Sequence, residues 1–351
     1  MRSLLGRHTA IGIDVGARSI RAVQLEALRG QYSAAAIAIV SRTDVGHPLC
    51  DKEILELGRI LKRQGFHGRN IVIAAPDETL LRGMVELPRQ VSGTTARQIT
   101  RMELARIHQQ APDSFEMICW EPAAGPVQSA TQAIAIGCPH DAANALLDIF
   151  EDNGLHVEAL DARPAAGLRA CAPLILKPPA VTALLDLEWS STQLQLVRGA
   201  TVVYERLLSD HSFSDLVSHL GQRFGLPTHS ACEILNMVGL SGIPTGESLD
   251  EQSVTLIRGI ARSHFDALVQ ELRVPFEYVA RHYPPEGVRR MLLMGEGAVL
   301  PALSQHFHAA LGVETLTASA ANTVGSHPHL LAKANNPAIA VALGLAKFNG
   351  A

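Results

Sequence analysis

Cysteine is sparse and dispersed: the five thiols (Cys50, Cys119, Cys138, Cys171 and Cys232) are odd in number and form no C-x-x-C pair. That speaks against paired-thiol metal sites and disulfides, and fits small, reduced, buried residues in a cytosolic setting. Long apolar runs are missing too. None approaches the roughly 18 residues needed to span a bilayer, and the opening MRSLLGRHTA is too short in its apolar part for a signal peptide. A soluble chain without direct membrane insertion is expected. There is also no basic face: net charge is −4 and the arginines and lysines are scattered, so nucleic acid is not an expected partner. The histidines supply no metal motif, because His306 and His308 in QHFHA stand two apart on a predicted helix and point about 200° away from each other. With 47% hydrophobic and 18% charged residues over 351 positions, the chain is globular and long enough for two domains.

What is present begins with a repeat. AIGIDVGARSIRAVQLEALRGQYSAAAIAIV (10–40) and AVTALLDLEWSSTQLQLVRGATVVYERLL (180–208) each read as an apolar strand ending near an aspartate, a polar turn, a second strand, a glycine turn and a third strand. Asp14 and Asp186 close the two first strands about half a chain length apart, which predicts two lobes on one plan.

Between the copies, ILELGRILKRQGF (54–66) predicts a helix and NIVIAAP (70–76) a buried strand that Pro76 ends. A smaller inserted unit follows over 78–158: the strand LLRGMVEL, the helix TTARQITRMELARIHQQ, FEMICWEP, the strand TQAIAIGCP, and the helix DAANALLDIFEDNGL stopped by Gly154. ALDARPAAGLRAC returns to the first lobe, LKPPA (176–180) is a stiff hinge, and helices dominate from 213 to 283. The expected organisation is a first lobe over 1–77 and 159–178, an insert over 78–158, and a second lobe over 179–351 that is mostly helical across 213–287. Near the end, a buried strand (291–294) runs into Gly295-Glu296-Gly297-Ala298, followed by a helix with Pro301 in its first turn. Glycines there admit a flat ligand close to the backbone, and a helix N-terminus favours negative charge.

The order of Asp-x-Gly turn, insert, second Asp turn and G-x-G-A turn resembles the actin-like ATPase fold. Within it, the chain resembles the PilM family of type IV pilus assembly proteins, related to the cell-division protein FtsA. The most specific text is LLRGMVELP, Glu103 in RMELARIHQQAPDSFEMICWEP, FEDNGLHVEALDARPAAGLRA and the closing NNPAIAVALGLAKF. The resemblance implies an α/β, actin-like (ribonuclease H-like), two-lobed fold with duplicated mixed-sheet lobes and an FtsA/PilM-type insert. It implies ATP with Mg between the lobes, held at Asp14, Gly16, Ala17, Arg18 and Ser19 of the first turn, at Asp186, Ser190 and Thr192 of the second, and at Gly295, Gly297 and Ala298. Asp14 would position the metal through water.

Several positions depart from the family pattern. Glu188 replaces the second turn's glycine and brings a like charge towards phosphate, LLSDHSFSDL replaces a Gly-Gly turn, and Cys232 and Leu235 stand where Glu and Lys would reach ribose and base. Glu296 also replaces a common glycine, with its side chain free to point away. The expectation is a degenerate site: ATP weak or absent, and no catalysis. The implied role is a cytoplasmic assembly scaffold, peripheral to the inner membrane through its partners, that works with other pilus components. Its main partner would be the N-terminal peptide of a PilN-like bitopic protein, held in a groove between first lobe and insert, with Leu81, Met84 and Leu87 along it. The alternatives are an active ATPase or sugar kinase of the same superfamily, and an FtsA-like filament former.

Overall fold

The computed structural model describes residues 7–28, 30–43, 45, 47–88, 91–121, 131–242, 249–284 and 287–348; the start of the opening segment read for a signal peptide lies outside them. The chain begins β1 (Arg7–His8), β2 (Ile11–Val15), β3 (Ser19–Leu28), β4 (Gln31–Ser41), α1 (Asp51–Arg63) and β5 (Asn70–Ala75). It continues through β6 (Leu81–Leu87), α2 (Gly93–His108), β7 (Phe115–Trp120), β8 (Thr131–Pro139), α3 (His140–Glu151), β9 (His156–Ala162) and α4 (Arg163–Cys171). Next come β10 (Val181–Leu187), β11 (Thr192–Arg198), β12 (Thr201–Leu208), α5 (Phe213–Phe224), α6 (Thr228–Val238) and α7 (Glu251–His282). The last are β13 (Val288–Met294), α8 (Leu303–Leu311), β14 (Glu314–Thr317), α9 (Ala320–Thr323), α10 (Leu331–Ala334) and α11 (Ala340–Ala346).

The repeat in the sequence is a repeat in the sheets. One runs β4-β3-β2-β5-β9, with β1 also on β3, and the other β12-β11-β10-β13-β14. In each, the first three strands form an antiparallel meander and the last two join in parallel. The apolar runs IGIDV and VTALLDL are the central strands, covered on both faces, as continuous hydrophobicity requires.

Helices α4 and α11 form the layer between the sheets. A single core joins Val23 and Ile37 of the first sheet, Leu184 and Leu292 of the second, and Ala170, Ala342 and Leu343 of these helices. The approach is close enough to demand glycine: a β-carbon on Gly12 would meet the Ala342 carbonyl oxygen at 2.1 Å, and one on Gly344 the Ala166 carbonyl oxygen at 1.8 Å. The last helix of the chain thus lies on β2, in the first lobe's sheet.

The insert is a three-stranded sheet, β6-β8-β7, backed by α2. Leu81, Leu104, Phe115 and Met117 fill its interior, with Val85, Leu87, Ala96 and Ala133 alongside. Its other face meets the body, where Ile136 joins Ala75, Leu80 and Ala162. α3, within the 78–158 span, packs on the first sheet through Leu146 and Phe150, beside Ile11, Ile13 and Leu57.

Two local readings change. α1 starts before its apolar pattern because buried Glu53 is drawn in by Arg42 (Nη2–Oε2, 3.1 Å) and the Thr43 N–H (3.1 Å). Pro301 is not in the first turn of α8, since a 3₁₀ turn over Glu296–Val299 intervenes and the Pro301 carbonyl accepts the Leu240 N–H (3.0 Å).

Candidate functional site

The two Asp turns face each other where the lobes meet, and they are the same turn. The Gly16 N–H donates to the Ser19 carbonyl at 2.9 Å, and the Glu188 N–H donates to the Ser191 carbonyl at 2.9 Å. Asp14 matches Asp186, and the place of Gly16 is taken by Glu188.

Three arginines fill the space between the turns. Arg21, on β3 and 0% exposed, donates from Nη1 to Asp14 Oδ2 (3.0 Å) and to Glu188 Oε1 (2.7 Å), and from Nη2 to Glu188 Oε2 (3.0 Å). Arg163, at the start of α4, donates from Nη1 to Asp14 Oδ1 and from Nη2 to Asp186 Oδ2 (3.1 Å), with Glu188 Oε1 at 3.2 Å. Arg18 lies with its Cζ 4.5 Å from the centre of the Trp189 ring and reaches Glu296 Oε1 and Cys232 Sγ, each at 3.2 Å. Asp14 is 0% exposed and Glu188 7% exposed, so each charge is offset by its neighbours and not by water.

The network extends to the insert. Arg163 Nε lies 3.2 Å from Asp77 Oδ2, Asp77 accepts from Arg82 on β6, and Arg82 also donates to Glu205 on β12 of the second sheet. Trp120 on β7 reaches the same strand, with Nε1 donating to the Val202 carbonyl at 3.2 Å.

Burial sorts the carboxylates. It pushes Asp186 up to about 7 against the pull of Arg163, and its Oδ1 lacks a hydrogen-bond partner among the described residues. Burial also raises Asp14, despite Arg163 and Arg21. At Glu188 burial acts the same way, but Arg21 and Arg163 outweigh it and its pKa falls. Burial raises Glu296.

Asp14, Gly16, Ala17, Arg18 and Ser19 lie together on the first turn, with the Ser19 hydroxyl accepting from Arg21 Nε (3.1 Å). Both Asp14 oxygens, named for a metal through water, accept from arginines. In the second turn Asp186 is buried and Ser190 exposed, while the Thr192 hydroxyl is spent on the His211 carbonyl (2.6 Å). Gly295 sits behind Asp186: its φ is 89°, and a β-carbon there would meet Asp186 Oδ1 at 2.5 Å. Gly297 and Ala298 are buried behind the second turn, Ala298 within the second lobe's core. Glu296 does not point away; its Oε1 accepts from Arg18 and its Oε2 lies 3.6 Å from Arg21 Nη2. Leu235 is buried in that core, whereas Cys232 faces Arg18.

Leu81, Met84 and Leu87 do not share a face. Strand alternation turns Leu81 and Leu87 into the insert's interior and leaves Met84 exposed on the other side. Arg21, Arg163, Asp77 and Arg82 were not among the expected site residues. Arg82 and Arg163 do lie in the stretches LLRGMVELP and ALDARPAAGLRA, but nothing local assigns them to the turns, and Arg21 shares its strand, SIRAVQLEAL, with Gln24 and Glu26 and so does not stand out.

A cleft of about 540 Å³ opens in front of the first turn. Pro76–Thr79 and helix α3 (Ala142, Ala145, Leu146, Ile149) wall it, with Leu49 and Arg42 on one side and Glu188–Ser191 on the other. Among the described residues, no cluster of His, Cys, Asp and Glu could hold a metal, and no helix is long and apolar enough to cross a membrane.

Comparison with known structures identifies the architecture. A solved PilM–PilN type IV pilus biogenesis complex contains a chain 22% identical to this one, covering 96% of this chain and 97% of that one with a TM-score of 0.74. EutJ, an ethanolamine utilization protein from Carboxydothermus hydrogenoformans, is 14% identical over 99% of this chain and 91% of its own (TM-score 0.54). MreB5 of Spiroplasma citri bound to ADP is 13% identical over 98% and 96% (TM-score 0.51). No curated protein sequence matches significantly. The fold is actin-like, as the paired sheets and facing turns require. Residues 12–348 match the family described as type IV pilus assembly protein PilM, and the chain belongs to that family.

Proposed function

We propose that this PilM-family protein is a cytoplasmic scaffold for the assembly of a type IV pilus or a related secretion machine, peripheral to the inner membrane through its partners. Its principal ligand is the N-terminal cytoplasmic peptide of a PilN-like bitopic protein, and other pilus components assemble around it. The solved PilM–PilN complex, a near full-length likeness, supports the choice of partner.

The observation that carries the reading is the ion network between the turns. Mg-ATP fits poorly there. A phosphate chain needs N–H donors and free positive charge, but Glu188 brings negative charge into the second turn and already engages Arg21 and Arg163. A magnesium site needs a carboxylate free to order water, and both Asp14 oxygens are held by guanidinium groups. The nucleotide site is therefore degenerate, and the lobes close on their own charges.

The cleft beside the network suits an extended peptide. Its walls are apolar at Leu49, Pro76, Leu146 and Ile149, and it lies between the first lobe, with α3 packed on that lobe's sheet, and the second Asp turn. A groove of this kind takes alternate side chains of an extended segment.

Calorimetric titration tests both parts. The PilN-like peptide is expected to bind with micromolar affinity, roughly −8 kcal/mol. Ala145→Trp, which fills the cleft from an exposed face of α3, is expected to weaken binding at least about tenfold, near 1.4 kcal/mol, with little change in melting temperature. Unchanged affinity would move the peptide elsewhere. In the second arm, Mg-ATP is expected to give no resolvable heat and no phosphate release. Low-micromolar ATP binding with turnover abolished by Asp14→Ala would identify a working ATPase instead.

A further inference from the structure

The mismatch between a nucleotide and the space between the two turns has a specific form. In the first turn the position after Asp14-Val15 is Gly16, and the Arg21 guanidinium packs against the bare backbone there: a β-carbon would meet Arg21 Nη2 at 3.0 Å. In the second turn the same position carries Glu188, and its carboxylate projects between the lobes onto two arginines of the other lobe.

We propose that the Glu188 carboxylate is a built-in oxyanion that takes the place a phosphate group would occupy, so that the two lobes are held together without any bound ligand. This rests on the reading of the cleft as a degenerate nucleotide site. Arg21 meets the carboxylate as a two-pronged fork, one N–H to each oxygen at 2.7 and 3.0 Å, which is how a guanidinium grips a carboxylate or a phosphate. Arg163 adds a second cation from the same lobe at 3.2 Å. An ordinary structural ion pair would join neighbouring elements of one core. This one is carried on the second copy of the duplicated Asp turn, 167 positions from its fork partner, and joins the two lobes.

Removing the carboxylate leaves Arg21 and Arg163 short of one negative charge in a site that excludes water. The class of ligand that restores the balance is a small free oxyanion, and magnesium is not required, because the arginines supply the positive charge. Glu188→Gly vacates the volume as well as the charge. Glu188→Gln removes the charge and leaves the volume filled.

The test is the melting temperature of the full chain in chloride buffer and in millimolar inorganic pyrophosphate at matched ionic strength. Wild type is expected to melt at the same temperature in both. Glu188→Gly is expected to melt lower in chloride and to regain most of the loss in pyrophosphate. Glu188→Gln is expected to melt lower and to gain nothing from pyrophosphate. Glu188→Ala, which keeps a β-carbon at the turn, is run alongside as a milder change and is expected to follow Glu188→Gly.

The proposal is overturned if the Gly and Ala variants both melt like wild type, or if pyrophosphate rescues neither. The reading of the site as degenerate fails separately, through wild type: a rise in its melting temperature with Mg-ATP would show that the cleft accepts nucleotide with Glu188 in place.

Discussion

Arg21 and Arg163 sit among Asp14, Asp186, Glu188 and Asp77 with almost no exposed surface, and buried charges of this kind are costly unless every one is matched. Asp186 is the member matched least well. Its carboxyl is raised from 3.8 to about 7, so between those values the folded chain holds a proton that the unfolded chain releases. Stability from this group therefore declines as pH rises through that window. Asp186→Asn removes the decline: the variant is expected to melt at or slightly below wild type at pH 5, and above it at pH 8. At roughly 1.4 kcal/mol per unit of pKa, the difference is on the order of 1–4 kcal/mol. Thermal melts across pH would check it, and a constant offset would be evidence against the coupling. Glu188 runs the other way. Its folded pKa lies below 4.5, so its contribution is present at neutral pH and is lost as pH falls through the lowered value. Asp14 and Asp186 were readable in the sequence because each closes a central strand before a turn. Their partners were not, since Arg21 lies seven positions from Asp14 and Arg163 a further 142, and no local pattern says that two guanidinium groups will converge on one carboxylate.

The elements themselves were largely legible. Hairpins β3–β4 and β11–β12, the strand that stops at Pro76 and the helix before Gly154 all follow from apolar period and turn chemistry, which are local. The packing of α11 was not. NNPAIAVALGLAKF reads as a terminal helix, but its place against β2 and α4 depends on Gly12 and Gly344, glycines more than 300 positions apart. This gives glycine-to-alanine changes opposite signs in different helices. Gly344→Ala drives a methyl into the Ala166 carbonyl and is expected to destabilise by at least about 1–3 kcal/mol. Gly259→Ala, in exposed space within α7, is expected to stabilise by about 0.5–1 kcal/mol through helix propensity alone. Urea denaturation midpoints would show the contrast; equal effects would mean that α4 and α11 separate more readily than their contact implies. The insert shows the limit of a period-two reading, because the alternation that identified β6 also turns Leu81 and Leu87 inward and leaves Met84 facing out.

For the molecule as a whole, the insert is tied to more than the lobe it springs from. Asp77 joins Arg163 in the cleft to Arg82 on β6, and Arg82 in turn meets Glu205 on the second sheet. Asp77→Asn removes the charge that both arginines share. It is expected to raise amide exchange in β6 and β12 together, by about five- to thirtyfold for a loss of 1–2 kcal/mol, while α8, on the far side of the second lobe, stays protected. Hydrogen exchange confined to β6 would mean that the insert and the second lobe move independently. The same contacts fix how the protein carries force. Tension applied to the insert does not run only through the backbone crossings into the first lobe. Part of it passes through the Arg82–Glu205 and Trp120–Val202 ties into the second sheet. The three bodies form a closed frame and not a lever on a hinge: a pull that would swing a singly attached insert outward loads both sheets at once, through these two ties and through Ile136 packed on Ala75 and Ala162.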